Sequence, residues 1–342
     1  MPTLESPVLF VAEVSANHLG SLERALEIVD AAAASGASAV KFQTYTAETM
    51  TLDLDTFIVS KDHKLWGGRK LYDLYKEAHT PWEWHPELFK RCRELGVLPF
   101  SSPFDFTAVD FLEKLDAPMY KIASLETGDH ALIRRVAETG KPMIVSTGAT
   151  TWDEIGELIE VVHSTGNRNL TLLICTSSYP ADPIDAHILR MKTVREYFGV
   201  DVGLSDHTLG IGVSIAAIAL GATVIEKHIT LRRSDGGADA AFSLEPEEFA
   251  ALVREGRAAF ESLGSAEWSM QDSEKESRRL RRSLYVVTDV RAGDMVTAQN
   301  IRAIRPSGGA LPKLYDSFIG KIFSQNVVAG TPMDPRLLEN RP

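Results

Sequence analysis

Eight times between Val8 and Gly264 a short apolar run gives way to polar or ionisable residues, and each time a helical stretch follows. The apolar runs are Val8–Val11, Ala39–Gln43, Val97–Ser101, Met119–Ile122, Met143–Val145, Leu170–Ile174, Val202–Leu204 and Ala222–Ile225. Helical patterns fill the intervals, among them Leu22 to about Ser35, Pro86–Leu95, Phe106–Leu115, Ala131–Thr139, Trp152–Ser164 and Ala186–Phe198, and Pro246–Leu263 closes the series. Strands that alternate with helices require a parallel sheet. Eight such units within the first 264 residues fit a closed (β/α)8 TIM barrel better than an open doubly wound sheet. No glycine-rich nucleotide loop opens a helix where a dinucleotide or P-loop fold would need one.

Active sites of such barrels lie at the C-terminal ends of the strands. Those ends carry Glu13, Lys41, Gln43, Ser102, Lys121, Ser124, Ser146, Ser177, Tyr179, Ser205, His207 and His228. A buried, unpaired ammonium is costly, so each lysine requires an anionic partner. Two lysines on different strands, with hydroxyls beside them, suit a small ligand bearing phosphate and carboxylate. The stretch Gly203 to Thr230 reads strand, helix, strand, and its strands end in Ser205-Asp206-His207 and Glu226-Lys227-His228. A single strand-end histidine is commonly structural or substrate-binding. Two on neighbouring strands face one site and suit a divalent transition metal. Glu13 and Asp239 add carboxylates able to move protons. These residues alone indicate metal-assisted carbon–carbon bond chemistry on a phosphorylated substrate. They admit equally a metal-dependent aldolase or a phosphosugar epimerase, and a non-catalytic carbohydrate-binding protein is a third reading.

The remaining sequence bounds the setting. A net charge of -11 disfavours nucleic-acid or anionic-membrane partners. No apolar run is long enough to span a bilayer, Met1–Pro7 lacks signal-peptide character, and Cys92 and Cys175 form no disulfide framework, which together indicate a reducing cytoplasm. The connection Thr44–Pro81 is long for a compact domain and predicts a lid or substrate loop, with helix over Lys70–Ala78. The barrel is predicted to occupy residues 1–264, a charged linker residues 265–282, and a β-rich unit residues 283–342. A unit this short buries little core and is expected to dock on a barrel.

The rim motifs resemble the sialic acid synthase family, and within it the pseudaminic branch. The resemblance rests on Ala12-Glu13-Val14-Ser15-Ala16-Asn17-His18, Lys41-Phe42-Gln43-Thr44-Tyr45, Phe100-Ser101-Ser102-Pro103-Phe104, Tyr120-Lys121-Ile122-Ala123-Ser124 and Val145-Ser146-Thr147-Gly148. It continues through Cys175-Thr176-Ser177-Ser178-Tyr179-Pro180, Gly203-Leu204-Ser205-Asp206-His207, Glu226-Lys227-His228, Arg282-Ser283-Leu284-Tyr285 and Ile304-Arg305-Pro306-Ser307. It implies a C-terminal antifreeze-like (SAF) domain that caps the partner's barrel in a homodimer. It implies condensation of phosphoenolpyruvate with a 2,4-diacetamido-2,4,6-trideoxy hexose to a nine-carbon acid and phosphate, with manganese or magnesium required. Carried over, His207 and His228 would be metal ligands, and Lys41, Ser102, Lys121, Ser124, Ser146, Ser177 and Ser205 would hold phosphoenolpyruvate. Glu13 would orient or deprotonate water, Gln43, Tyr179 and Asp239 would face the sugar, and Arg305 would reach in from the partner. Two departures weigh against an N-acetylneuraminate substrate. Ser177 stands where those enzymes carry asparagine, and Asp235-Gly236-Gly237-Ala238 precedes Asp239 in place of their Gly-Pro-Asp form. The aromatic loop with Trp66, Arg69, Tyr72, Trp82 and Trp84 favours the pseudaminic branch, with legionaminate as the alternative product.

Overall fold

The computed structural model describes residues 8–62 and 65–339, so Met1–Pro7 lies outside the described residues. The chain divides into two compact units, Met1–Gly264 and Ser265–Pro342. In the first unit, eight parallel strands close into a barrel in sequence order. They are β1 (Leu9–Glu13), β2 (Ala39–Thr44), β3 (Leu98–Pro103), β4 (Tyr120–Ile122), β5 (Met143–Ser146), β6 (Leu170–Cys175), β7 (Asp201–Ser205) and β8 (Val224–His228). Closure comes from β8 pairing with β1, which sets His228 beside Glu13, while Glu13 also pairs with Lys41 of β2. The predicted barrel is the observed one.

Alternate residues on each strand point to opposite faces. The outward set, including Phe10, Val40, Phe42, Val145, Leu172, Val202 and Ile225, packs with the helices into the main core. The inward set begins as a separate apolar plug of Leu9, Val11, Ala39, Phe100, Ile144, Leu173 and Val224. Gly203 is the inward position of β7 beside that plug. A Cβ there would strike the Val224 carbonyl oxygen and stand 2.7 Å from Leu173 Cδ2, so only glycine lets the neighbouring strand and side chain close in.

The helices follow their predicted spacing. They are α1 (Leu22–Ala34), α2 (Ala47–Met50), α3 (Leu71–Ala78), α4 (His85–Glu94), α5 (Phe106–Lys114), α6 (His130–Ala137), α7 (Trp152–Ser164), α8 (Arg190–Phe198), α9 (Gly212–Ala219) and α10 (Pro246–Ser262). Their starts have identifiable caps: Ser21 accepts from the Arg24 amide, Asp105 from those of Thr107 and Ala108, and Thr151 closes a capping box with Glu154. One prediction is corrected. The helix expected over Ala186–Phe198 starts only at Arg190, because His187 sits at φ +41°, outside the right-handed region, and separates it from a 3-10 turn at Pro183–Asp185.

The insertion after β2 carries α2 and α3, joined by an Ile58–Lys70 antiparallel bridge in which the Val59 amide donates to the Arg69 carbonyl at 2.8 Å. Lys70 ties it down through Asp53 and Asp55, at 2.6 and 2.8 Å.

The second unit starts with α11 (Lys275–Arg279) and contains an antiparallel pair, β9 (Ser283–Val286) and β10 (Ile301–Ile304), followed by α12 (Tyr315–Phe318). Its core is small and gathers Leu284, Val296, Ile301, Phe318 and Phe323. Among the described residues, no helix is long and apolar enough to cross a membrane.

Candidate active site

Above the plug, the inward face of the same strands turns ionic. Lys41 Nζ lies 2.5 Å from the Glu13 carboxylate and 3.7 Å from Glu226, and Lys121 Nζ lies 3.7 Å from the same Glu226 oxygen. Ser205 Oγ donates to that oxygen at 3.1 Å, and Lys41 donates to Ser102 Oγ at 3.5 Å. Gln43 Nε2 donates to Glu13 Oε1 and to Ser15 Oγ, both at 3.0 Å. All but Gln43 are buried. Burial works against the Glu226 charge, but Lys121 and Lys41 together carry its carboxyl below the ordinary range. Burial likewise opposes the Lys41 charge, and Glu13 with Glu226 overcomes it and raises its pKa. Burial lowers Lys121, and Glu226 only partly offsets this. Burial raises Glu13 above the carboxylate range against the pull of Lys41.

Glu226 is thus the anion that both lysines required, and the sequence reading did not assign it a role. Its signal was present: it stands two residues before His228 on one strand, and so on the same face.

Beside this layer the β4, β5 and β6 ends crowd together. The Gly148 amide donates to Ser124 Oγ at 3.0 Å, and a Cβ at Gly148 would strike Ser177 Oγ and approach Ser124 Oγ to 2.9 Å. Ser124 and Ser177 therefore share one hydroxyl-lined corner with Ser146 nearby in sequence. Ser146 Oγ and Glu226 Oε2 are buried without a hydrogen-bond partner. Buried polar atoms are rarely left unpaired, and a hydroxyl and two ammonium groups gathered this way suit an anionic ligand.

The two histidines meet as expected, with ring centroids 5.4 Å apart. His207 Nδ1 is 3.0 Å from the Thr176 carbonyl, which can only accept, so this nitrogen carries a proton, and Nε2 is the nitrogen a metal would meet once deprotonated. Burial opposes the imidazolium charge, but Cys175 at 3.8 Å outweighs it and raises the ring's pKa. His228 Nδ1 is buried without a hydrogen-bond partner, and the nearest acidic atom is Asp239 Oδ2 at 3.9 Å. Burial, reinforced by His207, lowers His228 well below the ordinary imidazole range and keeps it neutral. Asp239 is fixed by Ser15 Oγ at 2.5 Å, and burial raises its carboxyl. Among the described residues no three His, Cys, Asp or Glu side chains form a ready-made cage. Two imidazoles with open positions for water or substrate fit a catalytic ion rather than a structural one.

Behind the histidines, their outward-facing neighbours pair across β7 and β8. Lys227 Nζ lies 2.9 Å from Asp206 Oδ2 and donates to the Thr208 carbonyl at 2.6 Å, while Ser214 Oγ holds Asp206 at 2.6 Å. This buried clamp joins the two strands at the histidine positions.

A cavity of about 360 Å3 opens onto the site and is lined by Gln43, Ser124, Tyr179, His228 and Asp239, among others. Tyr179 packs on His207 at 4.5 Å between ring centroids, and Trp66 of the insertion packs on Tyr179 at 5.6 Å. Trp66 also donates its indole N–H to the Ala238 carbonyl at 3.2 Å. The first unit thus brings together every predicted site residue except Arg305, which follows β10 in the second unit. Besides Glu226, the sequence reading missed Ser15 and Glu126. Glu126 lines the cavity with an unpartnered Oε2, and burial pushes its carboxyl up to about 7 although Lys121 opposes it.

A closed (β/α)8 barrel with an ionic floor and paired imidazoles at its C-terminal rim, followed by a small β unit, defines a class, and the chain belongs to it. It is a member of the NeuB family, whose model matches residues 28–268, and a SAF domain model matches residues 281–339. It is 42% identical to the pseudaminic acid synthase of Campylobacter jejuni over 95% of each chain, and 43% identical to that of Helicobacter pylori over 96% of each. The crystal structure of N-acetylneuraminic acid synthetase from Leptospira borgpetersenii, in complex with citrate, aligns with a TM-score of 0.71 at 32% identity, covering 79% of this chain and 90% of that one. The family resemblance read from the rim motifs therefore holds.

Proposed function

We propose that this protein is a pseudaminic acid synthase, a transferase that condenses phosphoenolpyruvate with 2,4-diacetamido-2,4,6-trideoxy-L-altrose. The observation that carries this reading is the buried layer in which Glu226 lies between Lys41 and Lys121, with Glu13 on Lys41, next to two facing imidazoles. Glu13 and Glu226 match the two ammonium groups in number, but among the described residues Lys121 stands 3.7 Å from its only carboxylate partner and Ser146 Oγ has no hydrogen-bond partner, so donors remain for a small, multiply charged anion. Identity above 40% to two pseudaminic acid synthases over nearly the whole chain supports the sugar.

In this mechanism Lys41 and Lys121 hold the phosphate and carboxylate of phosphoenolpyruvate. Ser102, Ser124, Ser146, Ser177 and Ser205 supply hydroxyl donors. Gln43, Tyr179 and Asp239 orient the sugar so that its aldehyde carbon faces the methylene of phosphoenolpyruvate. A divalent ion of the manganese or magnesium class, held by His207 and His228, would polarise the sugar carbonyl as a Lewis acid when bound. The methylene carbon bonds to the aldehyde carbon, and the former aldehyde oxygen becomes a hydroxyl. Water adds at the cationic carbon, and Glu13 takes its proton, matching the proton that the new hydroxyl gains. The resulting hemiketal phosphate collapses: its C–O bond breaks, its hydroxyl proton leaves with phosphate, and a 2-keto acid of nine carbons remains. Arg305 of a partner subunit completes the site in a homodimer whose SAF domain caps the opposite barrel, within a reducing cytoplasm.

The test is a panel of N-acetylmannosamine and the altro- and manno-type diacetamido sugars, each with phosphoenolpyruvate and manganese. Phosphate release with the altro sugar, and a nine-carbon acid by mass spectrometry, is the expected result. Preference for N-acetylmannosamine or the manno sugar would make it a neuraminate or legionaminate synthase. No phosphate from any pair would leave an aldolase, an epimerase or a binding protein.

A further inference from the structure

We infer that the insertion after β2 builds an apolar subsite for the methyl-bearing end of the sugar, the end farthest from its carbonyl, so that this insertion selects 6-deoxy over 6-hydroxy substrates. The inference rests on the synthase reading given above.

Helix α3 is amphipathic. Leu71, Leu74, Tyr75 and Ala78 fall on one stripe, and Asp73, Lys76 and Glu77 are exposed opposite them. Such a stripe ordinarily packs on the core. Here none of the four belongs to the main core cluster of the barrel, and all four line the cavity. Met50 at the end of α2 and Val59 line it with them. Met50, Val59 and Leu71 are only partly buried, so aliphatic surface is left facing a cavity whose other wall is Gln43, His228 and Asp239. Apolar area left facing water costs free energy in proportion to its extent, and a ligand that covers it recovers that term.

The wall is held by polar contacts and by Tyr75 packing edge-on to the buried Tyr45, 5.9 Å between ring centroids. Lys70 bonds Asp53 and Asp55, Tyr72 Oη donates to Glu48 at 2.6 Å, and Trp66 reaches the Ala238 carbonyl. It is therefore set in place before a ligand arrives. In the proposed subsite the sugar carbonyl sits at the imidazoles and the chain of the sugar runs toward the insertion, which lines the same cavity, so that carbons five and six meet it. A C6 methyl is covered there without loss. A C6 hydroxyl must shed its water against Met50, Val59 and Leu71, none of which has a side-chain hydrogen bond to return. An apolar pocket rejects an added hydroxyl by about 10- to 100-fold.

The experiment compares two sugars of the same stereochemistry, 2,4-diacetamido-2,4,6-trideoxy-altrose and its 6-hydroxy counterpart, through kcat/KM for phosphate release. The full-length protein should favour the deoxy sugar by about 10- to 100-fold. Val59→Thr, which keeps side-chain volume, and Leu71→Asn should each cut that ratio at least about fivefold, with KM for phosphoenolpyruvate unchanged. A wild-type ratio near one, or a ratio that neither substitution moves, overturns the subsite while leaving the synthase reading intact. Absence of phosphate release with both sugars overturns the synthase reading itself, and the subsite with it.

Discussion

The inward face of the barrel carries two layers built from the same strands, and they differ in everything except their backbone. Leu9 and Val11 lead to Glu13, Ala39 to Lys41, Phe100 to Ser102, Ile144 to Ser146, and Val224 to Glu226 and His228, each a step of two residues. The lower layer is a plug whose side chains satisfy one another by packing. The upper layer is a set of charges that satisfy one another only in part, with Ser146 Oγ, Glu226 Oε2 and His228 Nδ1 unpartnered. Stability and chemistry are thus separated by one side-chain step along a strand. Substitutions in the two layers should separate in the same way.

The largest effect is expected in the upper layer. Lys121→Met keeps the volume but removes one of the two cations on Glu226, and turnover should fall at least about a thousandfold, some 4 kcal/mol of transition-state stabilisation, with circular dichroism unchanged. A loss below tenfold would dissolve the distinction. In the plug, Leu173→Ala should cost about 2–5 kcal/mol of stability by denaturant unfolding, while the folded protein keeps its affinity for phosphoenolpyruvate. A third change sits outside both layers. Lys227→Met breaks the clamp behind His207 and His228, and manganese affinity, measured by titration without substrate, should weaken about 10- to 100-fold. Unchanged manganese affinity would show that the histidines need no support from their outward neighbours.

The smallest effect is one of pH. The folded protein holds the Glu126 proton up to about 7, against an ordinary carboxyl value of 4.5. A raised carboxyl stabilises the fold below the unfolded value and loses that contribution as pH climbs through the folded one. The unfolding free energy of the wild type, from denaturant titrations, should therefore drop between about pH 4.5 and 7 relative to Glu126→Gln, by on the order of 1 kcal/mol after allowing for solvent access. A wild type that gains stability over that window relative to the variant would reverse the assignment.

The barrel was legible because its signal is local and repeated: eight short apolar runs, each ending in polar residues and each followed by a helical stripe. Strand alternation placed Lys41 beside Gln43, and it would have placed Glu226 beside His228 had the inward face been traced down β8. Pairings made across the chain were not legible. Ser15 meets Asp239 across 224 positions, and no pattern in either segment announces it. The insertion was recognisable as functional by length alone, but its stripe reads identically whether it packs on a core or lines a cavity. Only its position among the other elements decides that. The false start of α8 has the same origin, since the apolar spacing of residues 186–189 gives no sign that His187 breaks the helix.

The most direct test of the central claim, that the upper layer binds phosphoenolpyruvate for condensation with C–O cleavage, follows a single oxygen atom. Phosphoenolpyruvate labelled with oxygen-18 at the bridge between carbon and phosphorus is turned over with the altro-type diacetamido sugar, and both products are weighed by mass spectrometry. The account predicts the label in phosphate and none in the nine-carbon acid. Label retained in the acid would mean that the P–O bond breaks instead, and would contradict it.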